Sequence, residues 1–205
     1  MKLSSLFLRC LNLKYTNVEN CGSYALEIIG STLYIYFQDS NGLTDWKNNL
    51  DFPARLKKGS DGIDYMCHRG FLRVWRSIEP YITPHICNKD YRSIIIVGYS
   101  HGGALAYLCH EHAWSLRSDI QNSIFGYGFG APRVLWGLKS FLIRKRWNSF
   151  TVIRNIDDIV THLPPALFGY LHAGTLLKIG AKGKYSGIDA HRPESILSEL
   201  KLYEK

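Results

Sequence analysis

Ile94-Ile95-Ile96-Val97-Gly98-Tyr99-Ser100-His101-Gly102-Gly103-Ala104-Leu105-Ala106 is the stretch that organises the chain. Four β-branched residues run into a glycine, a serine sits among small residues, and an Ala/Leu run follows. That order describes a buried strand, a sharp turn and a helix. Gly98, Ser100 and Gly102 fit the G-x-S-x-G nucleophile elbow, in which the serine occupies a strained turn with its hydroxyl exposed. Such a turn brings strand and helix backbones together, so a Cβ at Gly98 or Gly102 would clash, and Gly103 extends the contact. The competing reading is a structural strand–helix turn. The buried-type strand before the turn and the helical run after it favour a serine nucleophile.

Outward from this turn, strands alternate with helices. Tyr24 to Ile29 and Leu33 to Phe37, divided by Gly30-Ser31, read as a hairpin. Leu43 to Leu50 reads as a short helix, and Asp51 to Asp64 as surface loop. Phe71, Val74, Trp75 and Ile78 place a helix within Met66 to Ile86, stopped or kinked near Pro80 and Pro84. After the strand Ser93 to Val97 and a helix from Gly102 to Leu116 come the strand Ser123 to Phe129 and a helix from Val134 to Trp147. Phe150 to Ile156 and Thr175 to Ile179 read as strands. His191 to Tyr203 reads as a last helix, with Pro193 suited to its first turn. The pattern is α/β, with a mostly parallel sheet flanked by helices and an antiparallel hairpin in front.

The 205 residues suit one domain, 1–205, with a full core, and 46% hydrophobic with 20% charged residues excludes a disordered chain. A net charge of +8 fits nucleic acid, an anionic membrane surface or solubility alone, and no nucleic-acid-binding motif accompanies it. The basic cluster Lys139, Arg144, Lys145, Arg146 reads as the solvated face of an amphipathic helix, with an anionic-interface face as the sharper alternative. Five cysteines at irregular spacing, with no C-x-x-C, suit reduced thiols and a cytoplasmic location. His110-Glu111-His112 does not match a zinc motif. Met1 to Lys14 reads as an amphipathic or irregular segment, its short apolar run broken by Ser4-Ser5 and Arg9. It does not read as a signal peptide. No run is long enough to span a bilayer.

In an open α/β sheet, ligands gather at the carboxyl ends of the strands. The partners of an elbow serine follow it in the order acid, then histidine. Asp157 and Asp158 end the strand Phe150 to Ile156, and either could be the acid. His162, His172 and His191 are the histidines beyond. The first two follow the acid closely, whereas His191 comes after a Gly-rich loop (Gly180, Gly183, Gly187) able to fold back over the sheet. His191 is favoured and the other two stay open.

Six blocks, in order, resemble the class 3, or fungal-type, lipases of the α/β-hydrolase superfamily. Phe37-Gln38-Asp39-Ser40 with Asp45-Trp46 and Leu50 resembles that family's F-R-G-[ST]…D-W…D-L. His68-Arg69-Gly70-Phe71 resembles H-x-G-F. Gly98 to Ala106 resembles G-H-S-L-G-G-A-L-A, and Phe129-Gly130-Ala131-Pro132-Arg133-Val134 resembles F-G-x-P-R-V. Asp158-Ile159-Val160-Thr161-His162-Leu163-Pro164-Pro165 resembles D-[IP]-V-P-x-L-P-P, and Gly169-Tyr170-Leu171-His172-Ala173-Gly174 resembles G-[FY]-x-H-x-G.

The resemblance implies an ester hydrolase acting on lipids, with Ser100 as nucleophile, Asp158 as acid and His191 as base. It implies an oxyanion hole from Ser40 and the backbone N–H of His101, and neither metal nor cofactor. His162 and His172 fall where the family has non-catalytic histidines. Asn41 to Asn49 takes the lid position, where Leu43 and Trp46 would meet substrate. So few apolar residues imply a weak lid. The implied partners are a lipid or ester substrate and peripheral contact with a membrane or lipid interface, with no nucleic acid. The sequence departs from the family at Gln38-Asp39, which replaces Arg-Gly, and at Tyr99 and His101. The +8 charge leaves room for a phospholipase or acyltransferase on the same triad. The Gln38-Asp39 change leaves room for a non-catalytic lipid- or partner-binding module.

Overall fold

A computed structural model describes residues 2–18, 22–38, 53–59, 61–137 and 141–205. Its centre is a seven-stranded sheet. β1 (Thr16–Val18), β2 (Gly22–Ile29) and β3 (Thr32–Gln38) form an antiparallel meander. β6 (Ser93–Tyr99) pairs in parallel with β3, and β7 (Ile124–Phe129), β9 (Phe150–Asn155) and β11 (Thr175–Ile179) continue in parallel, giving the order β1-β2-β3-β6-β7-β9-β11. The hairpin turns at Gly30, whose φ of 58° lies in the region open to glycine. The isoleucine-rich run predicts a central strand, and β6 is one: Ile94 and Ile96 enter one core and Val97 the other.

Helices cover both faces. α2 (Arg69–Cys87) and α3 (His101–Leu116) pack on one side, where Trp75, Ile78 and Ile82 meet Leu105 and Leu108. α1 (Leu3–Asn12) and α4 (Pro193–Tyr203) pack on the other, where Leu6 and Phe7 meet Ile196 and Leu200. Ser4 at the chain start hydrogen-bonds Glu204 at its end, tying the two helices together. α3 is buried on every side from His101 to Ala113, so its residues show no amphipathic stripe.

Several expectations are corrected. Within Asp51 to Asp64, read as loop, lies β4 (Ala54–Lys57). β5 (Tyr65–His68) takes the start of the segment read as helix. With β8 (Leu135–Trp136) and β10 (Tyr170–Leu171) they make a second, antiparallel sheet in the order β10-β8-β5-β4. The helix expected over Val134 to Trp147 is thereby reduced to one α-helical turn, Phe141–Arg144, and a 3-10 turn, Lys145–Trp147. α2 continues through Pro80 and Pro84 to Cys87. Both prolines are exposed, while Ile78, Ile82 and Ile86 on the inner face are fully buried and the Thr83 hydroxyl donates to the Glu79 carbonyl at 2.7 Å. Packing outweighs the lost backbone bond.

The basic cluster is not one solvated face. Arg144 and Lys145 are exposed, but Arg146 is buried and bridges Glu111 and Asp61. Glu111, itself buried, also accepts from Lys57 Nζ at 2.9 Å and the Tyr65 hydroxyl at 3.1 Å. The expected helix Leu43 to Leu50 lies outside the described residues. Among those described, Cys10, Cys67, Cys87 and Cys109 are free thiols, and no helix is long and apolar enough to cross a membrane.

Candidate active site

β6 runs out at Tyr99, and Ser100 follows with φ 54° and ψ −123°, the only positive φ outside glycine among the described residues. This strained backbone carries a cost of about 1–3 kcal/mol. Two hydrogen bonds and two close glycine approaches hold it. The Ser100 N–H donates to the Phe129 carbonyl at 2.9 Å, and the Ser100 carbonyl accepts from Gly103 at 2.9 Å. A Cβ on Gly98 would fall on the Gly102 carbonyl, and one on Gly102 on the Phe37 carbonyl. The glycines thus let β3, β6 and α3 meet, as the sequence predicts.

The structure brings Ser100, Asp158 and His191 together. His191 Nε2 lies 2.9 Å from Ser100 Oγ, and His191 Nδ1 lies 2.8 Å from Asp158 Oδ2. Asp158 Oδ1 accepts from the Val160 N–H at 2.9 Å, which leaves Oδ2 for the imidazole. Asp158 and His191 are fully buried, and Ser100 is 7% exposed. The pair cannot be screened by solvent, so a proton taken by Nε2 would leave an imidazolium compensated by Asp158. Donors and acceptors are then satisfied if Nδ1 carries the proton in the resting state and Nε2 accepts from the serine hydroxyl.

Asp157 points elsewhere. Its carboxylate accepts from the Gly183 and Tyr185 N–H groups at 3.0 and 3.2 Å, which lowers its pKa and fixes the Gly-rich loop ahead of His191. Of the open histidines, His172 Nε2 lies 3.0 Å from the Thr161 carbonyl oxygen, and burial lowers its pKa to about 4. The His162 carbonyl accepts from Arg133, and partial burial also lowers the pKa of its imidazole. His101 begins α3, so its N–H is one of four that no helical carbonyl can accept. Its ring packs against Phe71 at 5.3 Å between centroids. Ser40, Leu43 and Trp46, with Asp39, lie outside the described residues.

Three supporting residues escape a reading of the sequence. Gly130, φ 58°, faces His191 and Asp158: a Cβ there would lie 2.8 Å from His191 Cε1 and 3.1 Å from Asp158 Oδ2. It stands in the F-G-A-P-R-V block, where a glycine ending a strand is the available signal. Tyr99 stacks on the His191 ring at 5.3 Å and donates its hydroxyl to the His191 carbonyl at 2.8 Å. Burial raises its pKa, so it stays a donor. Buried Asn155 donates to the Ala190 carbonyl at 3.1 Å, fixing the same turn from the β9 side.

The family model described as Lipase (class 3) matches residues 34–168. A lipase of Rhizomucor miehei is 32% identical over 150 residues, covering 70% of this chain and 40% of that protein. A secreted mono- and diacylglycerol lipase of Fusarium solani is 25% identical over 145 residues, covering 68% of this chain and 41% of that protein. The chain therefore spans about two fifths of the length of those relatives. The solved Rhizomucor miehei lipase–propeptide complex superposes with a TM-score of 0.63 at 22% identity, covering 92% of this chain and 66% of that one. That likeness establishes the α/β-hydrolase fold. On the family match and the fungal relative, the chain belongs to the class 3 lipase family.

Proposed function

We propose that the chain is a serine hydrolase that cleaves the carboxylic esters of lipids through an acyl-enzyme, with Ser100, His191 and Asp158 as its triad. The observation that carries this is the unbroken series Asp158–His191–Ser100 at 2.8 and 2.9 Å, ending on a serine in a strained elbow. A relative of the same fold is described as a triacylglycerol lipase whose catalytic centre is a serine-protease triad.

Chemistry follows from the geometry. A serine hydroxyl is a weak nucleophile, so His191 Nε2 takes its proton as Oγ attacks the ester carbonyl. Asp158 holds the imidazole in one tautomer and stabilises the imidazolium. The tetrahedral oxyanion is assigned to the His101 N–H and to Ser40, each donor being worth about 3–4 kcal/mol of barrier. Collapse expels the alcohol, which receives the proton from His191. Water then attacks the acyl-enzyme by the same steps.

Hydrolysis of a soluble short-chain ester tests the reading. The wild type should turn over, and Ser100→Ala should lower kcat by about 10⁴-fold or more while leaving the fold intact. An inactive wild type, or an active Ser100→Ala, would overturn it.

A further inference from the structure

His191 reaches Ser100 from a loop that no apolar core holds. The chain from Gly180 to Asp189 joins β11 to the turn before α4, and none of its residues enters either hydrophobic cluster. Ala181, Lys182, Gly183 and Lys184 are exposed. A segment with so few buried contacts keeps its place through polar ones. Asp157 holds its backbone; Glu199 on α4 holds its side chains. Glu199 is only 4% exposed, and it accepts from the Tyr185 hydroxyl at 2.7 Å and from Lys184 Nζ. Burial pushes its carboxyl up, but these two donors bring it below its ordinary value, so it remains an ionised acceptor. The bond to Glu199 raises the Tyr185 phenol, which stays a donor.

We infer that Glu199 is a positioning residue for His191, acting through Tyr185. The two residues stand 14 apart in the chain, with His191 between them. Their hydrogen bond closes a ring of chain around the imidazole and removes conformations that an open loop would sample. Tyr185 is gripped at both ends, because its N–H donates to Asp157 Oδ2 at 3.2 Å while its hydroxyl reaches Glu199. From there the bonds run on to the histidine: the Ala190 N–H donates to the Ser186 carbonyl at 2.8 Å, and the His191 N–H to the Ile188 carbonyl at 3.0 Å. Gly180, with φ 79°, turns the chain between Asn155 and Glu199, where a Cβ would lie 2.7 Å from Asn155 Oδ1 and 3.3 Å from Glu199 Cγ. Lys184 contributes less, since its side chain is 42% exposed and solvent screens the ion pair. A catalytic group displaced by about 1 Å can cost on the order of 100-fold in rate, and opening the ring should cost part of that. The catalytic consequence rests on the proposed triad; the placing of the imidazole does not.

Kinetics on a soluble short-chain ester test it, with the full chain carrying Glu199→Ala, Glu199→Gln, Tyr185→Phe or Ser4→Ala. The last removes a hydroxyl bond to Glu204 that ties the other end of α4, and serves as a purely structural control. Glu199→Ala and Tyr185→Phe should lower kcat about tenfold while KM stays within about twofold. Glu199→Gln keeps an amide oxygen that accepts from Tyr185 and should recover most of the loss. Ser4→Ala should keep its kcat even where it lowers Tm by as much. The low-field proton NMR signal of the hydrogen between His191 Nδ1 and Asp158 Oδ2 reads the placing of the ring without turnover. It should persist in the wild type, Ser4→Ala and Glu199→Gln, and broaden or vanish in Glu199→Ala. In an active enzyme, an unchanged kcat or an unchanged signal in Glu199→Ala would overturn the positioning role. So would a loss in Glu199→Gln equal to that in Glu199→Ala, or a kcat in Ser4→Ala that falls along with its Tm. If Glu199→Ala does not fold, Tyr185→Phe decides by the same measures. An enzyme inactive on esters whose low-field signal still depended on Glu199 would overturn the hydrolase and leave the positioning role standing.

Discussion

Tyr99 shows how much of a site one residue can hold without touching substrate. It precedes Ser100 in the chain, yet its ring and hydroxyl both act on His191, 92 residues later. Phe7 of α1 packs edge-on against the far side of the site at 5.5 Å from the Tyr99 ring, and stacks on Phe129 at 4.6 Å. Tyr99→Phe keeps the stack and removes one hydrogen bond, typically worth about 1 kcal/mol. Its kcat on a soluble ester should fall several-fold with little change in KM. An unchanged kcat would show that the hydroxyl does not position the histidine. Residues of this scale divide by legibility. Ser100 was legible because the elbow imposes glycines on its neighbours. Asp158 and Asp157 are chemically alike in the sequence, and only the family blocks separated them. The structure gives the physical difference: Asp157 caps a loop and Asp158 faces the imidazole. Gly130 was not legible in its role, because the Cβ it lacks would collide with residues 28 and 61 positions away.

Among elements, the parallel strands and the hairpin were legible, because each buries a periodic or continuous apolar run. The second sheet was not. Its strands have two to four residues, too short to show a period, and they are joined through chain segments far apart in sequence. Cys67 and Leu135 tie that sheet to the apolar core, and a polar network fastens it further. Glu111 on α3 receives Lys57 of β4, Tyr65 of β5 and Arg146, all buried. A basic cluster in sequence looks solvated until its acidic partner, 35 residues earlier, is found beneath it. Glu111→Ala would leave Lys57 buried without its carboxylate and Arg146 with Asp61 alone, a loss of about 3–5 kcal/mol. Urea unfolding should show that drop in midpoint; a change under 1 kcal/mol would mean that the network is not buried as described.

The whole molecule is a three-layer sandwich whose long central helix α3 carries titratable side chains into the core. His110 is fully buried, with Nε2 3.0 Å from Ser149 Oγ, and burial lowers its pKa from 6.5 to about 3. The unfolded chain binds a proton there below about pH 6.5, while the folded chain does not until about pH 3. Stability contributed by the neutral form is therefore complete above pH 6.5 and is lost as pH falls toward 3, at about 1.4 kcal/mol per pH unit. Unfolding free energies should fall from pH 6.5 to 4, with His112 and His172, each lowered by burial to about 4, adding to the His110 slope. His110→Gln should make the fall shallower by its own share, about 1.4 kcal/mol per pH unit, and an unaltered slope in that variant would contradict the assignment. On the proposed mechanism, one serine of this sandwich is activated by His191 and Asp158. Reaction with a fluorophosphonate probe, followed by peptide mass spectrometry, tests it most directly. A single phosphonylated residue, Ser100, is expected in the wild type, and no adduct in Ser100→Ala or His191→Ala. A wild type that takes up no probe, or a His191→Ala variant labelled at the same rate, would contradict it.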